Sequence, residues 1–187
     1  MRIRMNMRGT VKGVCISPTK GTAKQPVGKG IFIKEFGIEN DAHAGEWHRQ
    51  VSLLSYDSVI AFNEKVGDVS YGDFGENLLV EGIDLKRLPV GTILKAGTVT
   101  LRLTQIGKEC HRHCAIRQRT GDCLMPREGV FAEVVEGGEI KAGDIMMVQE
   151  PYSERFNSVI SLDYESHPQN HYYVIDTCIG CGVCKER

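Results

Sequence analysis

Thr92-Ile93-Leu94-Lys95-Ala96-Gly97-Thr98-Val99-Thr100-Leu101-Arg102-Leu103-Thr104-Gln105 decides the fold class. It holds two β-like runs, Thr92–Lys95 and Thr98–Gln105, rich in β-branched and aliphatic residues and punctuated by glycine. The pattern recurs across the first 150 residues. Gly9–Ser17, Gly30–Phe36, Gln50–Leu54, Asn77–Glu81, Val130–Val135 and Asp144–Gln149 read as further short strands, each bounded by Gly, Pro, Asp or Asn. Pro89-Val90-Gly91, and Gly137-Gly138 followed by Lys141-Ala142-Gly143-Asp144, read as turns. One helix is expected over Ser55–Val66, where Ser55 can cap, Asp57 sits in the first turn, and Val59, Ile60, Phe62 and Val66 recur at roughly helical spacing. Many strands and few helices imply a mainly β fold. A closed or nearly closed β-barrel with a few short helices satisfies this, because closure removes exposed strand edges.

The chain has 187 residues, 41% hydrophobic and 25% charged, with a formal net charge of −1. That composition suits a globular domain and excludes a mostly disordered or collagen-like chain. No run approaches the ~18 apolar residues of a membrane span, and Met1–Met7 lacks the apolar stretch of a secretory signal, so a cytoplasmic protein without membrane contact is expected. Near-neutrality hides a gradient. Met1–Phe36 carries eight basic residues, Lys12 and Lys20 among them, against Glu35 alone, and Arg102–Glu128 carries six basic and three acidic residues. The two stretches can converge on an anionic ligand or form solvated surface. The basic segments have little aromatic interleaving and the whole chain is not basic, so no nucleic-acid partner is expected.

Seven cysteines in a chain read as intracellular favour metal, cluster or catalytic thiols over disulfides. The densest constellation is Lys108-Glu109-Cys110-His111-Arg112-His113-Cys114, with Cys123 nine residues later in Gly121-Asp122-Cys123-Leu124-Met125-Pro126-Arg127-Glu128. Neighbouring positive charge favours thiolate, the form that attacks electrophiles and binds soft metals. Three readings stand. Cys110, His111 or His113, Cys114 and Cys123 can supply a closed zinc shell. One thiolate beside an arginine cradle, which Arg112, Arg117, Arg119 and Arg127 can build, suits sulfur transfer or molybdenum. The cysteines can also simply pack a core, as expected of Cys15 in its apolar strand.

Two polar loops are further candidates. In Asp41-Ala42-His43-Ala44-Gly45-Glu46-Trp47-His48-Arg49, His43 can act as a general acid or base, bond a cofactor, or fix the loop, and Arg49 can meet an anion. Glu76 and Asn77 stand at a loop-to-strand junction, where a side-chain amide can fix a turn or a ligand.

Together, Asp41-Ala42-His43-Ala44-Gly45, Arg49-Gln50-Val51-Ser52-Leu53-Leu54, Phe74-Gly75-Glu76-Asn77-Leu78-Leu79-Val80-Glu81-Gly82-Ile83-Asp84, Leu88-Pro89-Val90-Gly91 and Leu103-Thr104-Gln105 resemble a MOSC domain. That family takes its name from the C-terminal part of molybdenum cofactor sulfurases. The likeness runs from about Gly9 to about Gln149 and is nearest to small stand-alone bacterial members. It implies a strand-rich MOSC-like barrel over residues 8–150, binding molybdenum cofactor (molybdopterin) or carrying sulfur for it, with a family cysteine as key thiol. Members also include reductases of N-hydroxylated compounds. The implied thiol is Cys114 first, then Cys110 and Cys123, and these three are also the candidate metal ligands. Lys12, Lys20, Arg49, Asn77, Arg112 and Arg127 are the expected cofactor-binding residues, and His43 is a further catalytic candidate. Ala42 stands where family loops often carry Arg. Expected partners are the anionic pterin or a persulfide donor, and cofactor-biosynthesis proteins or molybdoenzymes. Pyridoxal phosphate is not expected within this chain, which shows no aminotransferase-like domain. A non-catalytic cofactor-delivery module and a zinc-stabilised structural domain are the alternatives.

Residues 151–170 read as a polar linker, and 171–187 as a cysteine-rich tail. Cys178, Cys181 and Cys184 follow the Cys-x2-Cys-x2-Cys spacing that begins a ferredoxin iron–sulfur motif, whose fourth cysteine would fall beyond Arg187. The expectation is a truncated ferredoxin-like tail, able to hold an iron–sulfur cluster only with a ligand from elsewhere.

Overall fold

Short strands of alternating burial can hide their apolar residues only by curling into a closed layer, and the chain does so. The computed structural model describes residues 8–109 and 115–149. In chain order these form β1 (Arg8–Ile16), β2 (Gln25–Pro26), β3 (Lys29–Ile33), β4 (Gly37–Ile38), β5 (Val51–Ser55), α1 (Tyr56–Lys65), β6 (Leu78–Glu81) and a 3-10 turn at Leu85–Arg87. There follow β7 (Ile93–Ala96), β8 (Val99–Ile106), α2 (Ala115–Thr120), α3 (Met125–Glu128), β9 (Val130–Glu136), β10 (Gly138–Lys141) and β11 (Ile145–Gln149). All described residues lie in the first of two units, which ends at Gln149. The linker and tail expected at 151–170 and 171–187, with Cys178, Cys181 and Cys184, lie outside the described residues.

Seven strands close the barrel in the order β1-β11-β7-β8-β9-β5-β6 and back to β1, while β2 extends from β1 and β10-β3-β4 form a separate three-stranded sheet. The β5–β6 pair is parallel and the other barrel pairs are antiparallel. A parallel pair needs a crossover, and α1 supplies it. This is the helix expected from sequence: Ser55 Oγ accepts from Ser58 N at 3.4 Å as N-cap, and Val66 is the C-cap. Its inward face is narrower than its periodicity suggests. Val59 and Phe62 are buried, whereas Ile60 and Val66 are exposed.

Period-two alternation divides the core in two. Val51 and Leu53 of β5, Leu78 and Val80 of β6, and Val130, Ala132 and Val134 of β9 point into the barrel. The intervening Leu54, Leu79 and Phe131 point outward into a second cluster, with Val59 and Phe62 of α1, Ile116 of α2, and Cys123, Leu124 and Met125. The helices therefore cover one outer wall of the barrel. Residues 138–141, expected to lie in a turn region, form β10, whose pairing with β3 (Ile140 opposite Gly30, Glu139 opposite Ile31) supplies backbone partners no short turn could offer.

Closure rests on close backbone approach at β1, where Gly9 lies opposite Met146. A Cβ there would meet Glu81 O at 2.3 Å and Ile83 Cγ1 at 2.8 Å, and the backbone oxygen cannot swing aside. Gly9→Ala is therefore expected to lower the free energy of urea unfolding by about 2 kcal/mol or more, whereas Glu64→Ala on the exposed face of α1 should stay within about 0.5 kcal/mol of wild type.

Candidate functional site

Asp41 organises the polar centre. The carboxylate accepts from Lys24 Nζ, from Asn77 Nδ2 at 2.7 Å and from Ser17 N at 3.4 Å through Oδ2, and from His43 N at 2.8 Å through Oδ1. Both members of the Lys24–Asp41 pair are 2% exposed. Asn77 is itself held on every side. Its Nδ2 also donates to Cys15 O at 3.0 Å, and its Oδ1 accepts from Ser52 N at 3.0 Å and Ser52 Oγ at 2.9 Å. Five segments distant in sequence are thus tied at one carboxylate: β1, the loop before β2, the loop after β4, β5 and the start of β6. Burial pushes the Asp41 carboxyl up, but the His43 and Lys24 bonds outweigh it and hold it well below the usual carboxylate range. Burial lowers the Lys24 ammonium, against the opposing pull of Asp41.

A cleft of about 310 Å³ opens above this centre. Lys24, His43, Arg49, Asn77, Lys108 and Arg119 give it polar atoms, and Trp47, Phe74, Ile116, Met125 and Phe131 give it an apolar wall. Four of those wall residues also belong to the helix-side core, so the cleft is the unfilled continuation of that cluster. Arg49 lies between two rings, its guanidinium 5.1 Å from the Trp47 centre and 5.6 Å from that of Phe131. Its Nε is buried and without a hydrogen-bond partner among the described residues. The loop bearing it is fixed at both ends. Trp47 Nε1 donates to His43 O at 3.0 Å, and His48 Nε2 lies 3.0 Å from Gln105 Oε1, whose amide nitrogen donates to Gly107 O at 2.7 Å. The opposite wall is the 69–76 turn. Gly72 takes φ +87 there, and a Cβ on it would lie 2.1 Å from Lys24 O.

Glu76 underlies that turn. It is fully buried, and Gly72 N donates to its Oε1 at 2.6 Å while Oε2 has no partner among the described residues. Burial pushes its carboxyl up to about 7, against the lowering effect of the Gly72 amide. Cys15 beside it is fully buried, and burial, reinforced by Glu76, pushes its thiol up to about 12. It is a core residue, as its strand position implied.

The MOSC domain family model matches residues 40–147, more than half of the chain. The chain belongs to the MOSC domain family. The YUAD protein from Bacillus subtilis is 20% identical with a TM-score of 0.65, covering 76% of this chain and 96% of that one. YiiM from Escherichia coli is 18% identical with a TM-score of 0.57, covering 78% and 71%. YiiM from Geobacillus stearothermophilus is 20% identical with a TM-score of 0.54, covering 88% and 92%. At such identities these likenesses concern the barrel fold. No curated protein matches the chain.

In this MOSC barrel His43, Arg49 and Asn77 come together at the cleft. The other expected residues within the described part do not join them. Lys12 pairs with Glu81 at 3.4 Å and lies 5.1 Å from the Tyr56 ring centre. Arg127 makes two bonds to Asp122, at 2.9 and 2.8 Å, holding that carboxyl down at about 2, and faces a separate groove beside α1. Lys20 is exposed, in the loop just before Gly21, Thr22 and Ala23 of the cleft. Cys123 is 5% exposed and packs in the helix-side core, where the expectation of an exchange-ready thiol calls for an open position. Cys110, His111, Arg112, His113 and Cys114 lie outside the described residues. Among the described residues no group of three or more His, Cys, Asp or Glu side chains is arranged to hold a metal ion, and no helix is long and apolar enough to cross a membrane. Arg119, expected as part of an arginine cradle, lines the cleft, whereas Lys24 and Asp73 carry no signal in the sequence, where nothing distinguishes Lys24 from the exposed lysines around it.

Removing one partner of a buried pair strands the other charge, so Asp41→Asn is expected to cost about 3–5 kcal/mol in urea unfolding. Glu76 should make stability depend on pH. A carboxyl at about 7 in the fold, against its ordinary 4.5, binds more protons folded than unfolded, so stability is full below pH 4.5, falls as pH rises to 7 and then levels. Glu76→Gln should therefore unfold at higher urea than wild type at pH 8, by about 1–3 kcal/mol, and show little difference at pH 4.

Proposed function

We propose that the cleft binds the molybdenum cofactor and that a thiol of the 110–114 segment, Cys114 first, serves the bound group as a ligand or carries sulfur for it as a persulfide. The observation that carries this reading is Arg49: a cation held between two aromatic rings, with a buried N–H that no group among the described residues satisfies, on the wall of a largely apolar cleft. A flat, anionic heterocycle fits such a donor set, since the rings and Met125 can contact its faces while Arg49, Lys108 and Lys24 meet its negative groups. Bound, the group would supply a redox-active molybdenum and its dithiolene sulfurs.

The chain's own part is to bind and orient. Lys24, fixed by Asp41, and His43 present donors at the floor. Lys108 and Ile116, on either side of the 110–114 stretch, both line the cleft, which supports placing the functional thiol in that segment. In the sulfur-carrier role the Cys114 thiolate attacks the outer sulfur of a donor persulfide, forming a new S–S bond as the donor leaves as thiolate. The cytoplasm and cofactor-biosynthesis proteins or molybdoenzymes are the proposed setting and partners. Arg112 is the proposed further cation of this segment.

Anaerobically purified protein should carry molybdenum together with pterin fluorescence, and Arg49→Ala should lower both by about tenfold, the order expected for losing a charge-assisted contact. Stoichiometric zinc with no pterin would overturn the reading. Cys114→Ser should abolish persulfide labelling with an unchanged thermal melt, and unchanged labelling would move the role to Cys110.

A further inference from the structure

Among the described residues that line the cleft, Asp73 is the acidic one, set in a wall otherwise rich in cations. Its Oδ2 accepts from Arg119 Nη2 at 2.5 Å and from Ser70 N at 2.9 Å. The pair spans the cleft between two elements that are each firmly rooted. Arg119 stands on α2, anchored through buried Ile116, and Thr120 Oγ1 donates to Ile116 O at 2.8 Å. Asp73 stands on the 69–76 turn, anchored through Phe74, whose ring meets that of Phe62 at 5.1 Å, and through the Gly72–Glu76 bond. The bases are rigid and the bridge is not, since the Arg119 side chain is 52% exposed and that of Asp73 18%. With its cation half exposed to water the pair contributes little net stability, and the guanidinium can leave Asp73 for another acceptor.

We propose that Arg119 is a ligand-binding arm and that Asp73 is its internal competitor: an oxyanion group entering the cleft takes Arg119 from Asp73. This deepens the reading of the cleft as an anion site and rests on it. Asp73 thereby sets how strongly a ligand must attract the guanidinium before the second wall closes on it. A neutral ligand leaves the bridge in place, and a dianion such as a phosphate group breaks it, since it offers the guanidinium two oxygens and more charge than one carboxylate.

The test is titration of the full chain with inorganic phosphate at pH 8 and constant ionic strength. Asp73→Asn, which keeps an acceptor for Ser70 N, should tighten phosphate binding by about tenfold, and Arg119→Gln should weaken it by about tenfold. The double variant should match Arg119→Gln within about twofold, because the gain exists only if Arg119 receives the ligand. Asp73→Ser is the second variant, expected to behave as Asp73→Asn. A gain from Asp73→Asn that persists in the Arg119→Gln background shows that removing a negative charge is the whole effect and overturns the proposal. Unchanged affinity in Asp73→Asn, or no phosphate binding by wild type, overturns it as well. Persulfide labelling at Cys114 depends on neither residue, so the two readings fail separately.

Discussion

The Lys24–Asp41 pair is the constraint on which the site depends. Two charges taken out of water cost several kcal/mol each unless every remaining proton and lone pair finds a partner. Here Asp41 accepts from Lys24, Asn77, Ser17 and His43, and Asn77 in turn has its amide oxygen and nitrogen committed to Ser52 and Cys15. A network satisfied to this degree fixes one arrangement of five segments, because any slip in register leaves a buried polar atom unpaired. Rigidity at the cleft floor follows from satisfied polarity, while apolar packing fixes the barrel around it.

The barrel itself was legible because closure by short alternating strands leaves its mark on every run. Val51, Leu53 and Leu54, or Leu78, Leu79 and Val80, read as strands because both faces are apolar, and the structure shows why: one face fills the barrel and the other meets the helices. β2, β4, α2 and α3 were not legible. Each is two to six residues long, too short to show a period, and is held by tertiary contacts such as Cys15 opposite Pro26 and Phe32 opposite Ile38.

Site residues divide along the same line. His43, Arg49 and Asn77 were readable since polar residues crowd into glycine-bounded loops. Lys12 and Arg127 drew notice for their charge alone, and each is satisfied by a local acid, Glu81 or Asp122. Lys24 shows the converse. Its neighbours Thr22, Ala23, Gln25 and Pro26 carry no apolar pattern, so only the fold reveals that its ammonium is buried against a carboxylate seventeen positions away.

Alternation also explains why the cleft lies where it does. On β5, Ser52 and Leu54 share the outward face; Leu54 lies beneath the helices and Ser52 at the cleft. Phe131 on β9 belongs to both. The helix-side core therefore runs out along strands that continue past their cover, and the uncovered end is a cavity with an apolar wall ready-made. Much of the polar chemistry enters from the loops at that end, which bring Lys24, His43 and Arg49, while α2 adds Arg119. A barrel wall that is half covered supplies both halves of a binding site: a dry face for a ring and a rim of fixed cations for its charge.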